Sequence, residues 1–202
     1  MKLHDSAMAP NPRRVRIFLA EKGIEVPTVQ VDLGKAENRE PPFLALNPLG
    51  GVPILELDDG SVIAESVAIC LYFEETQPEP CLMGTGATER AHIEMWQRRA
   101  ELVLLNNVAG CFRNTHAFFK GRIPQVPEYG EVCKQAAISS LPFFDNALST
   151  SEFLAGDTYT IADITALVAL DFGRVSDIRV EPEHKNLTRW YEAVSSRASA
   201  KA

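Results

Sequence analysis

Long apolar runs, a basic surplus and clustered cysteines are all missing from this chain of 202 residues. No stretch approaches the roughly 18 to 20 consecutive apolar residues of a membrane-spanning helix, and Met1-Lys2-Leu3-His4-Asp5 does not open like a secretion signal. The expected setting is the cytoplasm, with no membrane partner. Lysine and arginine number 20 against 27 aspartates and glutamates, a formal net charge of −7. That balance argues against nucleic acid and anionic lipid, both of which need a basic face. Cys70, Cys81, Cys111 and Cys133 are widely spaced with no Cys-x-x-Cys, so neither a zinc site nor a dithiol redox motif is written here. Reduced, mostly buried thiols are expected. Repeats and low-complexity segments are also absent. The remainder, 46% hydrophobic and 23% charged, is ordinary globular composition, and the length suits one large domain or two small ones.

The most informative stretch is Asn47-Pro48-Leu49-Gly50-Gly51-Val52-Pro53-Ile54-Leu55-Glu56-Leu57-Asp58-Asp59-Gly60-Ser61-Val62-Ile63-Ala64-Glu65-Ser66. Two β-rich runs, 52–57 and 61–64, flank Asp58-Asp59-Gly60, which reads as a hairpin. Val52-Pro53 opens the first strand, where a proline is tolerated and a cis bond is cheap. Glu65-Ser66 ends the second strand, where 67–73 takes up a helical apolar pattern. A carboxylate, a hydroxyl and free helix N–H groups thus meet beside an open backbone edge, equipment for holding a small peptide.

Before this stretch, residues 2–5 read as a strand and 6–11 as a loop. Pro12 opens a helix, with Asn11 as N-cap, Val15, Phe18, Leu19 and the Lys22 stem on one face, and Gly23 as the stop. Alternation over 28–33 predicts a second, parallel strand. The order is β-α-β, a charged connector, then β-β-α. Proline and glycine punctuation places a linker at 78–87 between an N-terminal domain, 1–77, and a C-terminal domain, 88–202. Beyond it only helical periodicity survives. One long helix is expected over 91–119, a break over 118–129 and a helix over 132–148. Thr160 and Asp163 form a capping box ahead of an almost wholly apolar helix, 164–172, and a last helix covers 187–195 with Trp190 and Val194 inward.

Three motifs in order, Asn47-Pro48-Leu49-Gly50-Gly51-Val52-Pro53, Glu65-Ser66-Val67-Ala68-Ile69 and Phe153-Leu154-Ala155-Gly156-Asp157 through Asp163, make nearly the whole chain resemble the cytosolic glutathione transferases. The resemblance implies an α/β thioredoxin-like N-terminal domain that binds glutathione, followed by an all-helical domain that receives a small apolar electrophile. It implies a homodimer, and glutathione as co-substrate with no prosthetic group. Val52, ahead of a cis Pro53, would pair its backbone with the cysteinyl part of the tripeptide, and Glu65 and Ser66 would take the γ-glutamyl end. Many relatives carry lysine, arginine or glutamine where Gly51 stands. Arg39 or Lys35 would have to serve the glycyl carboxylate instead, or affinity would be lower.

Family enzymes activate the thiol with a tyrosine, serine or cysteine after the first strand. Lowering a thiol pKa from about 8.5 to about 6.5 requires roughly 2.7 kcal/mol of preferential thiolate stabilisation. Here that position falls near Ala9, which has no donor side chain, and Ser6 is the only hydroxyl in the loop. Pro10-Asn11-Pro12-Arg13-Arg14-Val15-Arg16-Ile17 resembles, more narrowly, atypical fungal and bacterial members that lack the usual residue. Their pattern implies thiolate stabilisation by the Asn11 side chain and the N–H groups of Asn11, Arg13 and Arg14, with His116 of the helical domain orienting a water or accepting a proton. Arg14 is then a candidate beside the anion, and Phe112, Arg113 and Phe119 are candidates for the electrophile pocket. Conjugation, non-catalytic ligand binding and glutathione-dependent reductase or peroxidase chemistry all stay open at this point. The last has no loop cysteine to carry it.

Overall fold

In a computed structural model that describes residues 1–202, the chain forms two compact units, Met1–Leu82 with Lys201–Ala202, and Met83–Ala200. The first runs β1 (Lys2–Asp5), α1 (Pro10–Lys22), β2 (Thr28–Gln30), a 3-10 turn (Glu37–Arg39), α2 (Pro41–Leu46), β3 (Ile54–Glu56), β4 (Val62–Ala64) and α3 (Ser66–Thr76). Its sheet has the order β2-β1-β3-β4, with β1 parallel to β2 and antiparallel to β3, and β3 antiparallel to β4. This is the thioredoxin-like arrangement. The period of two splits the sheet into two apolar faces. Leu3 and Leu55 lie opposite each other and are buried on one face. Ile54 packs with Val31 and with Phe43 of α2 on the other.

Several boundaries differ from the sequence reading. Helix α1 begins at Pro10, with Ala9 as its N-cap, so Asn11 sits inside the first turn. Either proline satisfies the rule that the first turn needs no N–H there, and the earlier one starts the helix. The β2 ladder stops at Gln30, although the Val31 N–H still donates to Asp5 O at 2.7 Å. The connector contains the short helix α2, opened by Pro41-Pro42. β3 is an interior strand, flanked by β1 and β4, so no sheet edge is open along it. The Val52–Pro53 bond is cis, as is Glu79–Pro80.

The second unit is helical: α4 (Gly86–Arg99), a π-helical segment (Ala100–Leu105), α5 (Asn106–Thr115), α6 (Pro127–Ala147), α7 (Ile161–Gly173) and α8 (Lys185–Ser195). The expected long helix is present but is wound as a π-helix over 100–105, and it ends at Thr115 because His116 turns to extended geometry. α6 starts at Pro127, five residues before the expected start, with proline again in the first turn. α7 is buried from Ile161 to Leu170. Its capping box forms as read from the sequence, and Asp163 extends it. The Asp163 carboxylate accepts the N–H groups of Leu154 and Thr160, both at 2.9 Å, the Thr160 hydroxyl at 3.1 Å and Trp190 Nε1–H at 2.8 Å. Burial pushes its pKa up, and these donors pull against that. No helix is long and apolar enough to cross a membrane.

Lys22, expected to bury only its stem, is buried to its tip. Nζ lies 2.7 Å from Glu74 Oε2, with the two side chains 0% and 4% exposed. It also donates to the carbonyls of Gln77, Pro78 and Pro80 at 2.8, 3.2 and 2.7 Å. Glu74 Oε1 accepts the Leu82 N–H at 2.9 Å. Removing one partner of a buried ion pair strands the other charge and costs roughly 3–5 kcal/mol. Lys22→Met takes the cation from Glu74, which keeps the Leu82 N–H, and strands three carbonyls, whereas Glu74→Leu leaves the ammonium with those carbonyls. Urea denaturation should therefore show Lys22→Met losing about 4 kcal/mol and Glu74→Leu clearly less; the reverse order would contradict this reading.

Candidate functional site

The loop after β1 is fixed by a polar network that begins at the strand's end. Arg16 Nη1 pairs with Asp5 Oδ1 at 2.6 Å, and Arg16 Nη2 donates to Ala7 O at 3.0 Å. Gln30 Nε2 donates to Asp5 Oδ2 at 2.7 Å, while Gln30 Oε1 accepts the Ala7 N–H at 3.2 Å. The Ala9 N–H is taken by Ser6 O at 2.9 Å, and Ser6 is buried. Asp5, Arg16 and Gln30 were missed by the sequence reading; Arg16 stands inside the Arg-Val-Arg-Ile signal, but its partners, Asp5 of β1 and Ala7 of the loop, lie about ten residues earlier in the chain.

At the start of α1 the donors are fewer than expected. Pro10 and Pro12 have no N–H, and the Arg13 N–H points to Ala9 O at 3.3 Å. Arg14 lies one turn inside, so its N–H belongs to the helix. The Asn11 N–H is left as the free donor of the first turn. Asn11 is exposed, and its Oδ1 accepts from Arg14 Nη2 at 3.1 Å, so it does not cap the backbone. Arg14 itself is buried. Burial pushes the Cys70 thiol up to about 12, and the Arg14 guanidinium pulls it partly back. Arg14 thus faces α3 and holds Asn11.

The hairpin register brings the peptide-holding candidates together. Ile54 lies opposite Ala64, so Pro53 and Glu65 are the next residues at that end of the ladder. No group in the chain accepts the Val52 N–H, because the β3 ladders begin two residues later. Glu65 is the N-cap of α3, yet its side chain makes no capping bond, and its φ of +69° places a non-glycine residue in a region that costs about 1–3 kcal/mol. Ser66 is buried at the first position of α3.

Arg39 and Lys35 are separated by the structure. Lys35 pairs with Asp32 at 3.1 Å on the surface. Arg39 Nη1 donates to Leu49 O at 3.2 Å, beside Gly50, where a Cβ would come within 2.8 Å of it. At Gly51 a Cβ would meet only Asn47 Nδ2, at 3.5 Å, so a side chain there has room.

In the helical unit, His116 ends α5, and its Nδ1 accepts the Phe118 N–H at 3.2 Å. In the neutral ring Nε2 therefore carries the hydrogen. His116 Nε2–H is then placed to donate. Its ring stacks on Phe112 at 4.4 Å, and Phe112 also meets Phe119 at 5.5 Å and Phe172 at 4.8 Å. Phe112 and Phe119 are half-buried in this ring cluster, and the Arg113 side chain is exposed beside it. No group of three or more His, Cys, Asp or Glu residues gathers as for a metal ion.

Comparison with known proteins points one way. The family model "Glutathione S-transferase, N-terminal domain" matches residues 9–76, and "Glutathione S-transferase, C-terminal domain" matches 110–198. Glutathione S-transferase 2 of Saccharomyces cerevisiae is 38% identical over 208 residues, covering 100% of this chain and 88% of that protein. The crystal structure of Gtt2 from Saccharomyces cerevisiae superposes with a TM-score of 0.95 at 36% identity, over 100% of this chain and 99% of that one. A glutathione S-transferase domain-containing protein from Marinobacter aquaeolei gives 0.94 at 39% identity, over 98% and 99%.

Thiol accessibility tests the burial described above. Cys70, Cys111 and Cys133 are buried, and Cys81 is half-buried. At pH 8, Ellman's reagent is expected to titrate Cys81 alone in the folded protein and all four cysteines in denaturant. Reaction of Cys70 as fast as Cys81 would contradict its burial and its raised pKa.

Proposed function

The chain belongs to the glutathione S-transferase family, and from that premise we propose that it binds glutathione in its thioredoxin-like unit and transfers the sulfur to a small apolar electrophile. The observation that carries this reading is the unclaimed Val52 N–H, ahead of cis Pro53 and next in register to Glu65 and Ser66. An extended peptide completes that backbone much as an added strand would. A ligand carboxylate suits the N–H groups at the start of α3. The exposed Glu65 carboxylate, not spent on capping, suits an ammonium group.

The chemistry needs a thiolate. The thiol gives its proton to solvent, the sulfur lone pair forms the C–S bond, and the leaving group departs with the bonding pair. Ala9 supplies no side-chain donor. The Asn11 N–H and side-chain amide, steadied by Arg14, are the groups proposed to hold the thiolate. The ring cluster of Phe112, Phe119 and His116 is proposed to take the apolar electrophile, with Arg113 at its margin. Leu102 and Val103, 50% and 40% exposed, favour a homodimer, and four free cysteines suit the reducing cytoplasm. The bare Ala9 position also favours a second reading, a non-catalytic glutathione- or ligand-binding protein.

Calorimetry with glutathione, followed by conjugation assays with an aryl halide across pH, separates the two. Conjugation that rises with pH and saturates with glutathione is expected. Glu65→Ala should weaken glutathione binding about tenfold, or about 1.4 kcal/mol. Saturable binding with no conjugation of any electrophile would establish the second reading, and absence of binding would overturn both.

A further inference from the structure

Three consecutive carbonyls ahead of Val52 are each held by a side chain. Arg39 Nη1 donates to Leu49 O at 3.2 Å, Asn38 Nδ2 to Gly50 O at 2.7 Å, and Asn47 Nδ2 to Gly51 O at 2.9 Å. Asn47 has two further bonds to the same loop. Its Oδ1 accepts the Leu49 N–H at 3.2 Å, and its carbonyl accepts the Gly50 N–H at 2.8 Å. The residue is only 7% exposed. One buried amide therefore closes the turn at both ends.

The Gly51–Val52 peptide is trans, since the cis bonds lie elsewhere. In a trans peptide plane the C=O and N–H point in opposite directions, and the plane turns as one body. Tying Gly51 O to Asn47 therefore turns the Val52 N–H the other way, where nothing in the chain accepts it. A donor left so is either satisfied by water or reserved for a ligand.

We infer that Asn47 is a positioning residue for peptide binding: by gripping Gly51 O it aims the Val52 N–H at a backbone carbonyl of the bound tripeptide. This rests on the glutathione reading above. Asparagine is required because the site uses a donor and an acceptor on one short side chain. Aspartate keeps the acceptor for the Leu49 N–H but presents an oxygen to the Gly51 carbonyl.

Asn47→Ala and Asn47→Asp in the full chain test this, with melting temperature, glutathione Kd, and KM and kcat at saturating electrophile as readouts. Both variants should raise the glutathione Kd and KM about tenfold, about 1.4 kcal/mol, with kcat at saturating glutathione within about twofold and Asp no better than Ala. A merely structural amide would lower the melting temperature and leave KM in place, and an unchanged Kd and KM in the folded variants would overturn the inference. Should both variants fail to fold, amide exchange of Val52 in the unaltered protein decides: saturating glutathione should slow it at least about tenfold, and no slowing would overturn the inference. Failure of the unaltered protein to bind glutathione is a different outcome, and it would overturn the proposed function along with this inference.

Discussion

A backbone group that leaves water must find a partner, and in the N-terminal unit that requirement is met by side chains where the sheet stops. β3 is saturated on both sides from Ile54 onward. Ahead of it, Arg39, Asn38 and Asn47 take the carbonyls of Leu49, Gly50 and Gly51. What is left over is a donor, the Val52 N–H, held at the end of a ladder beside the strained Glu65 and the first turn of α3. Rigid surroundings make such a leftover group useful, because a ligand that matches it need not order the loop first.

The same requirement organises the helical unit. Helix α7 is buried from Ile161 to Leu170, so the groups at its start cannot be left to water. Asp163 satisfies the Thr160 N–H and hydroxyl, the Leu154 N–H and the Trp190 indole together, which fixes α8 against α7. Thr165 meets Gln97 at 2.6 Å deeper in the same core. Lys22 plays the corresponding part in the first unit, where one ammonium gathers Glu74 and three carbonyls of the chain that follows α3.

Features written in adjacent residues were legible in the sequence. The Thr160–Asp163 box spans four positions, the hairpin announces itself by Asp58-Asp59-Gly60, and the Val-Pro and Glu-Ser motifs lie side by side at its open end. Features that depend on distant partners were not. Lys22 looks like a surface lysine until Glu74 and Pro80 fold back onto it. The interior place of β3 depends on pairing with β1, some 50 residues away. The π-helical turn over 100–105 arises inside an otherwise regular helical pattern. Asn47 was quoted as part of a motif, but its two-ended grip on the loop is visible only once the chain turns through Pro48 and Leu49. At α1, two prolines two residues apart both satisfied the rules for a helix start, and the choice between them changed which N–H groups are free.

The most direct measurement is a crystal structure with glutathione bound. The cysteinyl backbone of the ligand is predicted within hydrogen-bond distance of the Val52 main chain, the γ-glutamyl end at Glu65 and Ser66, and the sulfur near the Asn11 N–H. Glutathione seated elsewhere, with the Val52 N–H still without a protein or ligand partner, would contradict the central claim.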